Sequence, residues 1–210
     1  MTLKWLPNAL TIARCILAIV VGYTILDFDT RTQAGDATAL VLFLPFALFS
    51  FVALTDWLDG WLARKLDAES AFGARLDPIG DKLLSASSLL ALSITGTWAW
   101  FILIPTLAIV SRDVLITAMR EAMGNPGTMK VSNSAKMKTA LVLGGIALVL
   151  FGMAVSALAA NAAPYSPNWV LSRGIWLAGL VMVWVAAVMA VMTAFDYVKG
   201  LAGRDKEDHQ

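Results

Sequence analysis

Six stretches of about 20 mostly apolar residues run through this chain, and each is long enough to cross a bilayer as one helix. They cover residues 9–26, 37–59, 79–96, 98–119, 139–160 and 174–195. The third and fourth are nearly continuous, and the turn-forming sequence Thr95-Gly96-Thr97 predicts a break between them. The sequence therefore predicts an all-α integral membrane protein with six transmembrane helices.

The composition supports this interpretation and excludes other classes. Hydrophobic residues make up 59% of the 210 residues and charged residues 15%, against roughly 45–50% and about 25% in soluble domains. A net charge of +1 provides no overall field for a polyanion, so we expect no nucleic-acid partner. The single cysteine, Cys15, cannot form an intramolecular disulfide.

The basic residues predict the orientation of these helices. With Arg31 and Arg173 as exceptions, Lys and Arg lie near the termini or around the links between windows two and three and between four and five. The positive-inside rule places this side, with both termini, in the cytoplasm. No small-x-small cleavage site follows the first window, so we expect a retained span. Residues 1–202 are expected to form one membrane domain, followed by a polar C-terminal tail at 203–210.

Carboxylates cluster near the ends of two predicted helices, where charge is costly and indicates a functional site. One helix face at the end of window two carries residues at helical offsets 0, 3, 4, 7 and 8, namely Asp56, Asp59, Gly60, Ala63 and Arg64. Asp77 and Asp81 lie four residues apart and share a face at the start of the next helix. The sequence thus predicts four aspartates facing one another from adjacent helices.

Four converging carboxylates require cations, because they would repel one another in a low dielectric. Oxygen ligands without nearby His or Cys suit Mg²⁺ or Mn²⁺, and such ions commonly hold substrate phosphates. A diphosphate is therefore the expected ligand. Gly60 and Ala63 would let it approach the helix, and Arg64 could add a charge-assisted contact.

Simpler interpretations exist for single members of this cluster. Asp77 followed by Pro78 has the pattern of a helix N-cap with proline at the first helical position. Two surface ion pairs at the level of the lipid headgroups are a further alternative, namely Asp59 with Arg64 and Asp81 with Lys82. The joint register of four aspartates, a glycine and an arginine favours the metal site over these separate roles.

The complete pattern resembles the signature of the CDP-alcohol phosphatidyltransferase family. It comprises Asp56-x-x-Asp59-Gly60-x-x-Ala63-Arg64, eight residues, and Gly73-x-x-x-Asp77-x-x-x-Asp81. The resemblance implies that Asp56, Asp59 and Asp77 bind two metal ions, with Asp81 as a further ligand and the general base. It also implies that the cytidine nucleotide lies near the positions of Gly60, Ala63, Arg64 and Gly73.

This resemblance implies a reaction, a location and an assembly. An alcohol would attack the phosphatidyl phosphorus of a CDP-linked lipid such as CDP-diacylglycerol, with CMP leaving. The enzyme would lie in the bacterial cytoplasmic (inner) membrane with its active site facing the cytoplasm, and it would form a homodimer.

A phosphorylated acceptor alcohol needs Arg or Lys close to the metal site. Candidates on the same predicted side of the membrane are Arg112, Arg120, Lys136 and Lys138. Arg14, inside the first predicted helix, also needs a phosphate or carboxylate partner and is a further candidate. The alternative is that all of them merely follow the positive-inside rule.

Looser patterns are similar to those of the bacterial phosphatidylglycerophosphate synthases within this family. They are Leu6-Pro7-Asn8-Ala9-Leu10-Thr11-Ile12-Ala13-Arg14, Ala71-Phe72-Gly73, Ser111-Arg112-Asp113, Ala118-Met119-Arg120-Glu121 and Lys136-Met137-Lys138-Thr139. They imply glycerol 3-phosphate as the acceptor, with inositol phosphate, serine or phosphatidylglycerol as alternatives. Asp113 departs from the pattern, where Glu is expected.

Two other classes also use intramembrane carboxylates. An intramembrane prenyltransferase holds a diphosphate through Mg²⁺, but its aspartate repeats differ in spacing. A cation transporter usually has its site near the bilayer midplane, whereas these aspartates fall at helix ends. Glycines in the last two windows allow close helix packing, within the fold or in a dimer: Gly144, Gly145, Gly152 and Gly179.

Overall fold

The computed structural model describes the backbone of residues 6–66, 73–96, 99–122 and 133–207, and the side chains of residues 12–55, 82–96, 99–119 and 137–195. This part of the chain is all-helical, as predicted. Its six helices are α1 (Leu6–Ala34), α2 (Ala39–Leu66), α3 (Gly73–Ile94), α4 (Ala99–Ala122), α5 (Asn133–Leu158) and α6 (Pro167–Glu207). Each contains most or all of one predicted window, and α6 continues through much of the polar tail.

Local sequence signals end and begin several of these helices. Gly35 and Gly96 have φ values of +74° and +69°, a left-handed conformation that glycine adopts without strain and that ends α1 and α3. The predicted break between windows three and four is therefore confirmed. Ser166 precedes Pro167 at the first position of α6, and its Oγ accepts a hydrogen bond from the backbone N–H of Trp169 at 3.4 Å.

Long apolar helices support the prediction of a membrane protein. Among the described residues, three segments are long and apolar enough to cross a bilayer, namely Ala99–Met119, Met137–Leu158 and Pro167–Phe195. Large apolar side chains are exposed along several helices, such as Ile19 on α1, Ile104 on α4 and Met192 on α6. Such an apolar exterior is suited to lipid contact.

The main apolar core receives side chains from all six helices, and a smaller cluster lies beside Phe28. The fully buried side chains of the main core include Val21, Phe49, Leu89, Ile109, Ile146 and Val183. Helices α5 and α6 form the most extensive pair. A Cβ atom on Gly179 would lie 2.6 Å from the backbone nitrogen of Val149, and one on Gly152 would lie 2.6 Å from that of Trp176. These glycines therefore serve close packing within the fold.

Two hydrogen bonds link helices through backbone carbonyls. Pro105 lies inside α4 and lacks the N–H that would bond to the carbonyl of Phe101 in a regular helix. Trp184 on α6 donates its indole Nε1–H to that carbonyl at 3.0 Å. Ser87 on α3 donates its hydroxyl to the carbonyl of Ala18 on α1 at 2.7 Å. Both bonds connect elements distant in sequence.

An exposed ion pair lies near the end of α1. Arg31 Nε donates to both carboxylate oxygens of Asp27, at 3.0 and 2.9 Å. This hydrogen bond, with the attraction of the carboxylate charge, raises the pKa of Arg31. Because the pair is open to solvent, it contributes little to stability.

Candidate active site

The four predicted metal ligands lie on two consecutive helices. Asp56 and Asp59 are in the last part of α2, and Asp77 and Asp81 are in the first part of α3. The spacings of three and four residues therefore put each pair on one helix face, as predicted. Their side chains lie outside the described residues, so the convergence of the carboxylates stays a prediction.

The helix bounds bear on one alternative interpretation. Because α3 begins at Gly73, four residues before Asp77, that aspartate is inside the helix and is not its N-cap. The N-cap interpretation is therefore wrong. As a donor set, four carboxylates on two helices that contact each other fit hard divalent cations, which take oxygen ligands.

The predicted nucleotide-binding positions share these helices. Gly60, Ala63 and Arg64 follow Asp59 on α2, and Gly73 is the first residue of α3. Six residues separate the two helices, so the end of α2 and the start of α3 are joined by a short link. The side chains of these positions also lie outside the described residues.

A partly buried charge cluster joins α3, α4 and α5. Asp113 Oδ1 accepts a hydrogen bond from Lys138 Nζ at 2.6 Å and another from Arg112 Nη1 at 3.0 Å. Lys82 Nζ donates to the backbone carbonyl of Asp113 at 3.3 Å and to the hydroxyl of Thr117. We call these five residues the Asp113 cluster. It brings together two of the predicted acceptor residues, Arg112 and Lys138.

Among the described residues, the Asp113 cluster holds more cations than carboxylates. Arg112 and Lys138 both contact the Asp113 carboxylate, and Lys138 is only 5% exposed. The Nε atom of Arg112 is buried and has no hydrogen-bond partner among the described residues. Two cations that share one carboxylate are suited to an anionic ligand, because the ligand would supply further negative charge.

Three residues of the Asp113 cluster line an apolar cavity. It has a volume of about 380 Å³ and lies between α3 and α4. Its apolar wall includes Leu83, Ile109 and Val110, and its polar rim is formed by Lys82, Asp113 and Thr117. The combination suits a ligand with both an alkyl part and an anionic group.

The remaining predicted acceptor residues are placed less completely. Arg14 is buried on α1, at 7% exposure, and it has an interaction partner. Arg120 is in the last turn of α4 and Lys136 in the first turn of α5, and both side chains lie outside the described residues. Sequence reasoning missed Thr117 and did not give Lys82 a role in the acceptor site. The i, i+4 spacing of Asp113 and Thr117 was the available signal.

Comparison with known proteins decides the family. The sequence profile of the CDP-alcohol phosphatidyltransferases matches residues 4–192 of this chain. The chain belongs to this family. Membership favours phosphatidyl transfer over the prenyltransferase and transporter alternatives, and CDP-alcohol phosphatidyltransferases generally use divalent metals.

Several relatives within the CDP-alcohol phosphatidyltransferase family carry one name, CDP-diacylglycerol--glycerol-3-phosphate 3-phosphatidyltransferase. The protein of Cereibacter sphaeroides is 32% identical, over 94% of this chain and 96% of its own length. That of Salmonella typhimurium is 30% identical, over 78% and 86%. That of Yersinia enterocolitica is 30% identical, over 76% and 83%. The similarity extends over most of each chain.

Proposed function

We propose that this protein transfers the phosphatidyl group of CDP-diacylglycerol to glycerol 3-phosphate, giving phosphatidylglycerophosphate and CMP. The observation that supports a phosphorylated acceptor is the Asp113 cluster, in which Arg112 and Lys138 share one carboxylate and are suited to an anionic ligand. A phosphorylated alcohol supplies the negative charge, whereas inositol or serine has no phosphate. Among phosphorylated acceptors, the names of the relatives support glycerol 3-phosphate.

The four aspartates would hold the metal. We assign Asp56, Asp59, Asp77 and Asp81 as ligands of two divalent ions, Mg²⁺ or Mn²⁺. When bound, the ions neutralise the diphosphate and the negative charge that develops on the leaving CMP. The cytidine nucleotide would bind next to Gly60, Ala63, Arg64 and Gly73.

Side chains of the protein carry out proton transfer and bind the acceptor. Asp81 accepts the proton of the acceptor hydroxyl. The oxygen of that hydroxyl bonds to the phosphatidyl phosphorus while the phosphorus–oxygen bond to CMP breaks. Arg112 and Lys138 bind the phosphate of glycerol 3-phosphate and orient the hydroxyl toward that phosphorus. Lys136, Arg120 and Arg14 contribute further positive charge for the acceptor or lipid phosphate.

The proposed reaction has a matching location in the membrane. We assign six transmembrane helices in one domain of residues 1–202, with a polar tail at 203–210, both termini in the cytoplasm and the active site at the cytoplasmic face of the bacterial inner membrane. The distribution of Lys and Arg supports this orientation. The apolar cavity between α3 and α4 suits a lipid substrate that stays in the bilayer. The family resemblance also supports a homodimer.

The test measures CMP release by the purified protein with CDP-diacylglycerol and Mg²⁺. Glycerol 3-phosphate, inositol phosphate, inositol, serine and phosphatidylglycerol are offered separately. We expect release with glycerol 3-phosphate alone and its loss in Asp81→Asn. Asp36→Asn, which changes an exposed carboxylate after α1, is the matched control and should keep full activity.

Each outcome of this test has a distinct meaning. Release with a different acceptor would retain the chemistry and contradict the assignment of glycerol 3-phosphate. Full activity of Asp81→Asn would exclude Asp81 as the base. An absence of release with every acceptor would contradict the proposed function as a whole.

A further inference from the structure

Asp113 is the one described carboxylate that connects the cations of the Asp113 cluster. Its side-chain oxygen accepts from Lys138 on α5 at 2.6 Å and from Arg112 on its own helix at 3.0 Å. Its backbone carbonyl accepts from Lys82 on α3 at 3.3 Å. The residue therefore fixes cations from three helices relative to one another.

Stability alone is a poor explanation for such an arrangement. Buried ion pairs can often be replaced by apolar residues without loss of stability, because desolvation offsets the attraction between the charges. Among the described residues, two cations also share the single carboxylate of Asp113. An anion that binds beside them would supply further negative charge.

The side chain that most needs a positioning partner is Lys138. A lysine has a flexible stem, and its ammonium group is a point charge without a preferred direction. The short charge-assisted bond to Asp113 holds that ammonium at a defined place beside the Arg112 guanidinium. Together the two cations can meet different oxygens of one phosphate.

We propose that Asp113 is a positioning residue that sets the distance between Arg112 and Lys138 for binding the acceptor phosphate. This inference rests on the proposed function and deepens it. The chain also connects the cluster to the catalytic helix, because Lys82 directly follows the predicted base Asp81 on α3. The bonds of Lys82 to Asp113 and Thr117 thus hold the acceptor cations next to the segment that carries the base.

Replacing the carboxylate should affect one substrate and not the other. Asp113→Asn keeps the size of the side chain but removes the charge that holds Lys138 and Arg112. We expect the KM for glycerol 3-phosphate to rise about tenfold or more, because a displacement of about 1 Å in a substrate-positioning group can cost up to about 10²-fold. The KM for CDP-diacylglycerol should stay within about twofold, since the aspartates hold its diphosphate and the apolar wall of the cavity holds its acyl chains, and neither contact uses the Asp113 carboxylate.

Two further variants separate positioning from folding. Asp113→Glu keeps the carboxylate and should return the KM for glycerol 3-phosphate to within about threefold of the wild type. Asp27→Asn removes the carboxylate from the exposed pair with Arg31 and should change neither KM. A purely structural role of Asp113 would instead lower the amount of active enzyme and leave both KM values unchanged.

A second test compares the effect of Asp113→Asn in the wild type with its effect in the variant Lys138→Gln. If Asp113 acts through Lys138, adding Asp113→Asn to Lys138→Gln should raise the KM for glycerol 3-phosphate by only about threefold or less. An equal effect in both backgrounds would overturn the proposal.

The wild-type enzyme distinguishes the two levels of inference. If it releases no CMP with glycerol 3-phosphate, the proposed function is wrong and the role of Asp113 is wrong with it. If it responds to glycerol 3-phosphate while Asp113→Asn keeps both KM values or lowers the KM for this acceptor, only the positioning role is wrong.

Discussion

The close contact between α5 and α6 leads to a prediction about Gly179. A Cβ atom at this position would lie 2.6 Å from the backbone nitrogen of Val149 and 2.8 Å from the carbonyl oxygen of Gly145. Ordinary contacts begin at 3.4 Å, so Gly179→Ala must separate the helices by about 0.8 Å, the difference between 3.4 and 2.6 Å. Backbone atoms cannot rotate away from the new methyl group as a flexible side chain could.

The expected effect is a clear loss of stability. Overpacking a buried site typically costs about 1–3 kcal/mol, and the better helix propensity of alanine returns up to about 1 kcal/mol. A net loss of about 1–2 kcal/mol corresponds to a fall in Tm of roughly 2–8 °C for a chain of this size. The assay is thermal unfolding of the purified protein in detergent, followed by size-exclusion chromatography.

Gly174 on the same helix provides the matched control. A Cβ atom there would meet no atom within 4 Å, so Gly174→Ala should keep the Tm or raise it. Equal Tm values for Gly179→Ala and Gly174→Ala would refute the inference that α5 and α6 are in backbone contact at Gly179.

Three further predictions follow from single features. Trp184→Phe removes the hydrogen bond to Phe101 and should cost about 1 kcal/mol in the same unfolding assay, whereas Trp100→Phe at an exposed site should have no effect. Ser87→Ala removes the bond between α3 and α1 and should cost about 0.6 kcal/mol, more than Ser93→Ala, whose hydroxyl bonds only within its own helix. A chelator should abolish CMP release and added Mg²⁺ should restore it, and chelator-resistant release would contradict the metal site.

Features that depend on nearby residues could be predicted from the sequence. The apolar windows predicted where helices form, and Gly96 predicted the break between α3 and α4 because a left-handed turn favours glycine. The register of Asp56 with Asp59, and of Asp77 with Asp81, followed from helical periodicity alone.

Contacts between distant segments could not be predicted in this way. Lys138 lies 25 residues beyond Asp113, and Lys82 lies 31 residues before it. Both meet Asp113 because α3 packs against α4 and also contacts α5, which no local pattern reveals. The sequence drew attention to Asp113 as a departure from the family pattern, and the structure adds its contacts with Arg112 and Lys138.

The order of the paired charges along the chain bears on how the protein is inserted into the membrane. Arg112 and Asp113 are neighbours on α4, so this helix can enter the bilayer with two charges already paired. Lys138, at the start of α5, is synthesised later, when its carboxylate partner is already in place. Synthesis in this order gives Lys138 a carboxylate partner as soon as the start of α5 reaches α4.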